Sequence, residues 1–416
     1  MLKAKPWRRP MVAREHSETH RQASWLELLF DLSFVVAVAQ AALELEHALA
    51  EGHTGAGIVG YLVVFAAIWW AWMAFTWFAN VFDTDDVPYR LLMIVMIAGS
   101  LGLAAGVPQI AELDFRVGVV SYVVMRLAYV GQWARVLRAG DPMWHSIASR
   151  MIVLTTLTQV GWVLFLWVPL EWRLPVFVAW FAVDLATPYV SGWDARMGGH
   201  RHHIVERYGL FTIIVLGESI AAATIAVAEA LRAGVAALPL LELAGGGLII
   251  VCSSWWIYFD FSTGEAPARD RRSQFLWGYV HYFVFAAIAA IGAGLALCVA
   301  WLTDATRVAL PASGVALVIG VAVAVFLLTI ALIESTAEDG FELRKVLIKL
   351  GGSLFAIGAA VAAPLATVPG SVLLNGLMLA AIVAYGVHEQ HRLYRGAPDT
   401  PGARRSRAPN ATLRRQ

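Results

Sequence analysis

The sequence predicts an all-α, polytopic integral membrane protein of about twelve transmembrane helices, and three observations carry that expectation. Hydrophobic residues make up 59% of the chain and charged residues 15%, with a mean hydropathy of +0.66, which is more apolar surface than one soluble core can bury. The apolar residues are gathered into runs of about 20, long enough to cross a hydrocarbon layer of roughly 30 Å as helices. Runs such as "FAAIWWAWMAF" do not alternate apolar with polar residues, as the strands of a membrane barrel would.

The spans follow in order. A basic, His-containing leader, residues 1–23, is too long and polar for a cleavable signal, so the first helix is expected to stay in the mature protein. That helix, about 25–48, opens at Ser24-x-x-Glu27, the pattern of a capping box. The next spans lie at about 57–79, 90–110, 117–137, 147–169 and 174–191, the sixth with Pro188 inside it. The second half places spans at about 208–229, 241–261, 276–301, 312–333, 347–368 and 370–388. One membrane domain therefore covers 24–390. The tail, 391–416, is Pro-, Ala- and Arg-rich without an apolar period and is expected to be disordered and cytoplasmic.

The 31 Lys and Arg residues set an orientation. With the N-terminus cytoplasmic, only Arg116, Arg173, Arg232 and Arg307 fall on the outer side and Arg126 within a span; all the others are inside. Both termini are thus expected in the cytoplasm, and the net charge of +1 hides this asymmetry. Cys252 and Cys298 each fall inside a span and support neither a disulfide nor a metal site. The partner expected is the lipid bilayer, with no nucleic acid.

An internal duplication is expected from two matching pairs of segments. "WLELLFDLSFVVAVAQ" and "WWAWMAFTWFANVFDTDD" open the first span and close the second; "VERYGLFTIIVLGESI" and "SSWWIYFDFSTGE" do the same for the seventh and eighth. Six spans separate them, so halves 24–195 and 200–390 would be parallel 6+6 repeats.

The segments "ELLFDLSFVVAVAQ", "WWAWMAFTWFANVFDTDDVPYR", "HIVERYGLFTIIVLGESI" and "WWIYFDF" resemble, in order and spacing, the bacterial low temperature requirement A (LtrA) family. The likeness runs from about 24 to 285, and beyond it only further hydrophobic spans match. The loop "GWDARMGGHRHHIVER" departs from the family, so only His203, Glu206, Arg207 and the residues after them carry over. The resemblance implies a multi-pass protein of the bacterial cytoplasmic membrane linked to growth in the cold, and it brings no particular reaction or substrate.

The candidate residues are the ionisable groups that an apolar span has no reason to keep. His203, Glu206 and Arg207 sit three or four residues apart, on one helical turn at a membrane face. Glu218 lies twelve residues past Glu206, about 18 Å deeper at 1.5 Å per residue, near mid-membrane. A partner or a wet cavity is expected for it, and Gly217 beside it would let another backbone approach. Arg126 is the natural ion-pair partner of Glu218 or Asp184. Pro188 cannot donate to the Asp184 carbonyl, leaving that oxygen available to a cation or water. His281 reads as a packed core histidine or a proton relay. Glu27 is explained by the capping box, whereas Asp31, one turn later, is not.

Two functions of different class follow. In the first, Asp31, Arg126, Asp184 and Glu218 line a midplane polar site that passes a small ion, proton or solute. In the second, a membrane enzyme acts on a lipid or isoprenoid through Asp83, Asp85 and Asp86 in "NVFDTDDVPYR". Those carboxylates could take Mg²⁺ or Ca²⁺ with a diphosphate, or protonate an alkene beside aromatic faces. They could equally form a solvated, Asx-capped turn. Transport is preferred, because most of the unexplained charge lies inside the membrane. No cofactor is expected unless the acidic loop takes a divalent cation. A scaffold role, with the buried charges as structural glue, is the third reading.

Overall fold

A computed structural model describes residues 7–14, 23–193, 201–261, 271–335 and 342–396. Over these residues the chain is helical, without strands. The expected spans appear as α1 (Trp25–Ala50), α2 (Thr54–Val81), α3 (Val87–Ala111), α4 (Arg116–Ala139), α5 (Pro142–Phe165) and α6 (Leu170–Leu185) with the short α7 (Thr187–Ser191). The second half contains α8 (Arg201–Arg232), α9 (Ala237–Phe261), α10 (Arg271–Thr303), α11 (Ala312–Glu334), α12 (Leu343–Val361) with the short α13 (Ala363–Ala366), and α14 (Val368–Gly396). The proposed disordered tail falls mainly at 397–416, outside the described residues.

Ten of these helices, counting α6 with α7 as one, are long and apolar enough to cross a membrane on their own. α4 and α12 hold the other two expected spans but carry more charge. The charges away from their ends turn inward: Arg126 and Arg135 of α4 are 2% and 8% exposed, and Lys349 of α12 is 5% exposed. An interior face with partners lets such a helix sit among apolar neighbours.

Local chemistry sets the helix ends. Ser24 and Glu27 form the expected capping box at α1. Asp86 caps α3 by accepting from Tyr89 N at 3.0 Å, with Pro88 in the first turn, where its missing N–H costs nothing. α6 stops at Leu185 because Pro188 cannot continue its hydrogen bonding, and α7 resumes after Ala186.

Two helices form the middle. α1 packs on α2, α3, α8 and α10, and α10 packs on α8, α9, α11, α1 and α2. α2 is enclosed over most of its length, with Trp70, Trp72 and Phe78 fully buried. α4 lies away from this centre against α3, α5 and α2.

Candidate functional site

Where α1, α2 and α8 meet at the end of the bundle from which α1 starts, three helical ladders face one another. Glu27 and Asp31 are one turn apart on α1, His203 and Arg207 one turn apart on α8, and Trp72, Thr76 and Asn80 climb α2 at the same four-residue interval. Arg207 donates from Nε to Asp31 Oδ2 (3.0 Å) and from Nη2 to Asp31 Oδ1 (2.5 Å), and its Nη1 lies 2.9 Å from Glu27 Oε1. Trp72 Nε1 donates to Asp31 (2.7 Å), and His203 stands 3.1 Å from Asn80 Oδ1 and 3.5 Å from Glu27. All four ionisable side chains are buried. Glu27 therefore caps its helix and also binds Arg207. Glu206, part of the same predicted turn, is only partly buried and sits on the flank.

The second buried pair lies elsewhere. Asp184 on α6 accepts from Arg126 Nη2 (3.1 Å), Tyr122 Oη (2.7 Å) and Trp162 Nε1 (3.0 Å). The Arg126 guanidinium also sits 5.1 Å from the Tyr129 ring and 5.7 Å from the Trp70 ring. Of the two partners expected for Arg126, Asp184 is the one it meets and Glu218 is not. α4 packs on α2, α3 and α5, whereas α8 packs on α1, α2, α9 and α10, so the two charges belong to different parts of the bundle. The four residues Asp31, Arg126, Asp184 and Glu218 do not form one midplane site. Nor is the Asp184 carbonyl available: Thr187 Oγ1 donates to it at 2.8 Å, replacing the N–H that Pro188 lacks.

Glu218 occupies a third place. It lies midway along α8 on the wall of a cleft of about 660 Å³ between α1, α8 and α10. Among the described residues it has no hydrogen bond or ion pair. The cleft reaches inward to Val38 and Val215 and outward to Asp304 and Arg307, just past the end of α10. Its polar lining includes Gln40, Glu46 and His47 from α1 and Glu229 from α8. Gly217 was expected to admit a neighbouring backbone, yet nothing lies within 4 Å of a Cβ built there. The close approach is two residues on: a Cβ at Gly292 of α10 would sit 2.9 Å from Ser219 Cα.

Glu46 and Glu229 were not singled out in the sequence because each lies near the end of its span, where acids are common. The available signal was spacing: Glu218 and Glu229 are eleven residues apart, three helical turns, and so share a face.

His281 is a satisfied core histidine. Its Nδ1 donates to the Trp277 carbonyl (2.7 Å), which leaves Nε2 to accept from Tyr258 Oη (3.1 Å). The acidic loop also resolves into structure. Asp83 lies 3.6 Å from Arg14, Asp85 2.7 Å from Arg90, and Asp86 2.6 Å from Arg135 while also accepting from Arg9 N at 2.7 Å. Each carboxylate faces its own arginine, and among the described residues no three His, Cys, Asp or Glu converge on a metal position. Two backbone N–H bonds and Arg135 outweigh the effect of burial and hold the Asp86 carboxyl below its ordinary value.

A bundle of long apolar helices with its ionisable groups turned inward is a multi-pass α-helical membrane protein. The chain belongs to the bacterial low temperature requirement A (LtrA) family, whose model matches residues 22–385. It is 26% identical, over 292 residues covering 64% of this chain and 67% of the other, to an uncharacterized protein of Rhizobium meliloti (strain 1021). No solved structure matches it.

Proposed function

We propose that the protein is a transport or permeation protein of the bacterial cytoplasmic membrane, passing a small ion, proton or solute, and that this activity supports growth at low temperature. The observation that carries this reading is Glu218: a carboxylate midway along a 32-residue helix, on the wall of a cleft, with no partner among the described residues. A charge at that depth costs roughly 2.5–3.5 kcal/mol on insertion scales, and a protein keeps one where a wet path or a ligand reaches it. With the termini cytoplasmic, as the Lys and Arg distribution favours, the cleft opens outward and the Glu27–Asp31–Arg207 network lies toward the cytoplasmic ends of the same α1 and α8. The enzyme reading loses support because Asp83, Asp85 and Asp86 are each engaged by an arginine.

The test is efflux from vesicles containing the purified full chain and loaded in turn with KCl, a pH-indicator dye and a small neutral solute. Protein-dependent flux of at least one is expected, falling at least tenfold in Glu218→Gln at unchanged membrane abundance. The same variant should fail to restore cold growth to a strain lacking the protein. No flux of any kind, or a fully active Glu218→Gln, would overturn the proposal.

A further inference from the structure

Taking the cleft as the permeation path, we infer that what it admits is a small inorganic cation, with the proton as the limiting case, and that it rejects anions. Four carboxylates line it: Glu46 from α1, Glu218 and Glu229 from α8, and Asp304 beyond α10. Glu46 and Glu229 place acids on the cleft from two different helices. Against these four stands one permanent cation, Arg307, and it is already bound to Asp304 at 3.0 Å. His47, 3.5 Å from Glu46, can offset one acid at most, and only when protonated.

The rest of the wall offers an anion almost no donor. It is chiefly alanine, glycine and valine on helices whose backbone N–H groups are already used. The hydroxyls present are committed: Ser219 donates to the Ile288 carbonyl (3.0 Å) and Thr303 to the Val299 carbonyl (2.8 Å). Only the Gln40 amide remains. A cleft with walls of low dielectric and charges of one sign focuses its field and concentrates the opposite ion.

Glu218 supplies an independent reason. Where carboxylates are buried, an arginine of the protein meets them: Asp31 by Arg207, Asp86 by Arg135 and Asp184 by Arg126. Glu218, half-buried on the cleft wall, has no such partner among the described residues, so its charge is balanced by something that comes and goes: a proton or a metal cation. Gly292 of α10 lies close against Ser219, so the two helices approach tightly beside this carboxylate. A volume of about 660 Å³ leaves room for the ion's water on the way.

The sign of a diffusion potential tests this. Vesicles holding the full chain, with KCl concentrated inside, should become negative inside as K⁺ leaves; where the coupled movement is electroneutral K⁺/H⁺ exchange, a trapped pH dye should report acidification instead. The Glu46→Gln/Glu229→Gln double variant should lower cation-over-chloride permeability several-fold, and the Glu46→Asp/Glu229→Asp variant should retain it, which separates lost charge from lost fold. An interior-positive potential, or flux of the neutral solute alone, would overturn the cation assignment and leave permeation standing. Absence of all flux would overturn both, and unchanged selectivity in the Gln double variant would overturn the role given to these carboxylates.

Discussion

Arg126, Arg135 and Arg207 are each buried against a carboxylate. Removing the arginine from a buried pair leaves an uncompensated charge, at about 3–5 kcal/mol. Arg126→Met and Asp184→Asn should therefore each lower membrane abundance and the midpoint of thermal unfolding in detergent, and the double variant should recover most of both. Glu218→Gln removes no partner's counterion and should leave abundance unchanged; if it falls as far as Arg126→Met does, Glu218 is structural after all. Asp86 makes a pH prediction. Its folded pKa lies below the ordinary 3.8, so the stability it contributes is fully present above that value and is lost as pH falls through the lower folded value. Asp86→Asn keeps the cap but loses the charge, so its deficit relative to wild type should be constant from pH 7 to 5 and shrink only below 3.8. A deficit that disappears by pH 5 would show that another group controls the effect.

Among the elements, glycines mark where helices meet most closely. A Cβ at Gly246 of α9 would lie 2.7 Å from Leu373 N of α14, and one at Gly376 would lie 2.8 Å from the Gly246 carbonyl. Backbone sits against backbone there, which is how membrane helices gain contact without a hydrophobic drive. Gly246→Leu should push α9 and α14 apart and lower the unfolding midpoint by several degrees, whereas Gly217→Ala, with nothing within 4 Å, should not. Equal effects would contradict that contrast. The α6–α7 break illustrates the same dependence on neighbours: Pro188 announces the interruption, but the Thr187 hydroxyl that fills the vacant bond became apparent only once the helix was built.

At the scale of the whole molecule, the two halves share part of their order of neighbours, although the close packing of α9 on α14 has no equal between α2 and α6. α1 packs on α2 and α3, α3 on α4, α4 on α5 and α5 on α6; likewise α8 packs on α9 and α10, α10 on α11, α11 on α12 and α12 on α14. We propose on that basis that the halves are parallel repeats; superposition of α1–α6 on α8–α14 in the same orientation supports it, and a fit obtained only after inversion refutes it. Orientation has its own test. A fluorescent reporter fused after Gly140 should be active in the cytoplasm and alkaline phosphatase fused after Gly234 active outside; the reverse pattern would turn the cleft inward.

The sequence alone determined the class, the positions of the ten helices long and apolar enough to span a membrane, the capping box at Ser24 and Glu27, and the presence of Asp31 and Asp184 as acids within apolar helices. These follow from local quantities: the length of an apolar run, the spacing of a cap, and the cost of a charge in hydrocarbon. Which charge meets which was decided by tertiary structure. Asp31 and Arg207 are 176 residues apart and Asp184 and Arg126 58 apart, and nothing in either stretch encodes its partner. Glu218 looked equivalent to Asp184 as a lone acid in an apolar helix. The difference arises because α6 packs on α5, which brings Trp162 to Asp184 alongside the Tyr122 and Arg126 side chains of α4, whereas α8 leaves Glu218 facing the space between α1 and α10, where no cation among the described residues pairs with it.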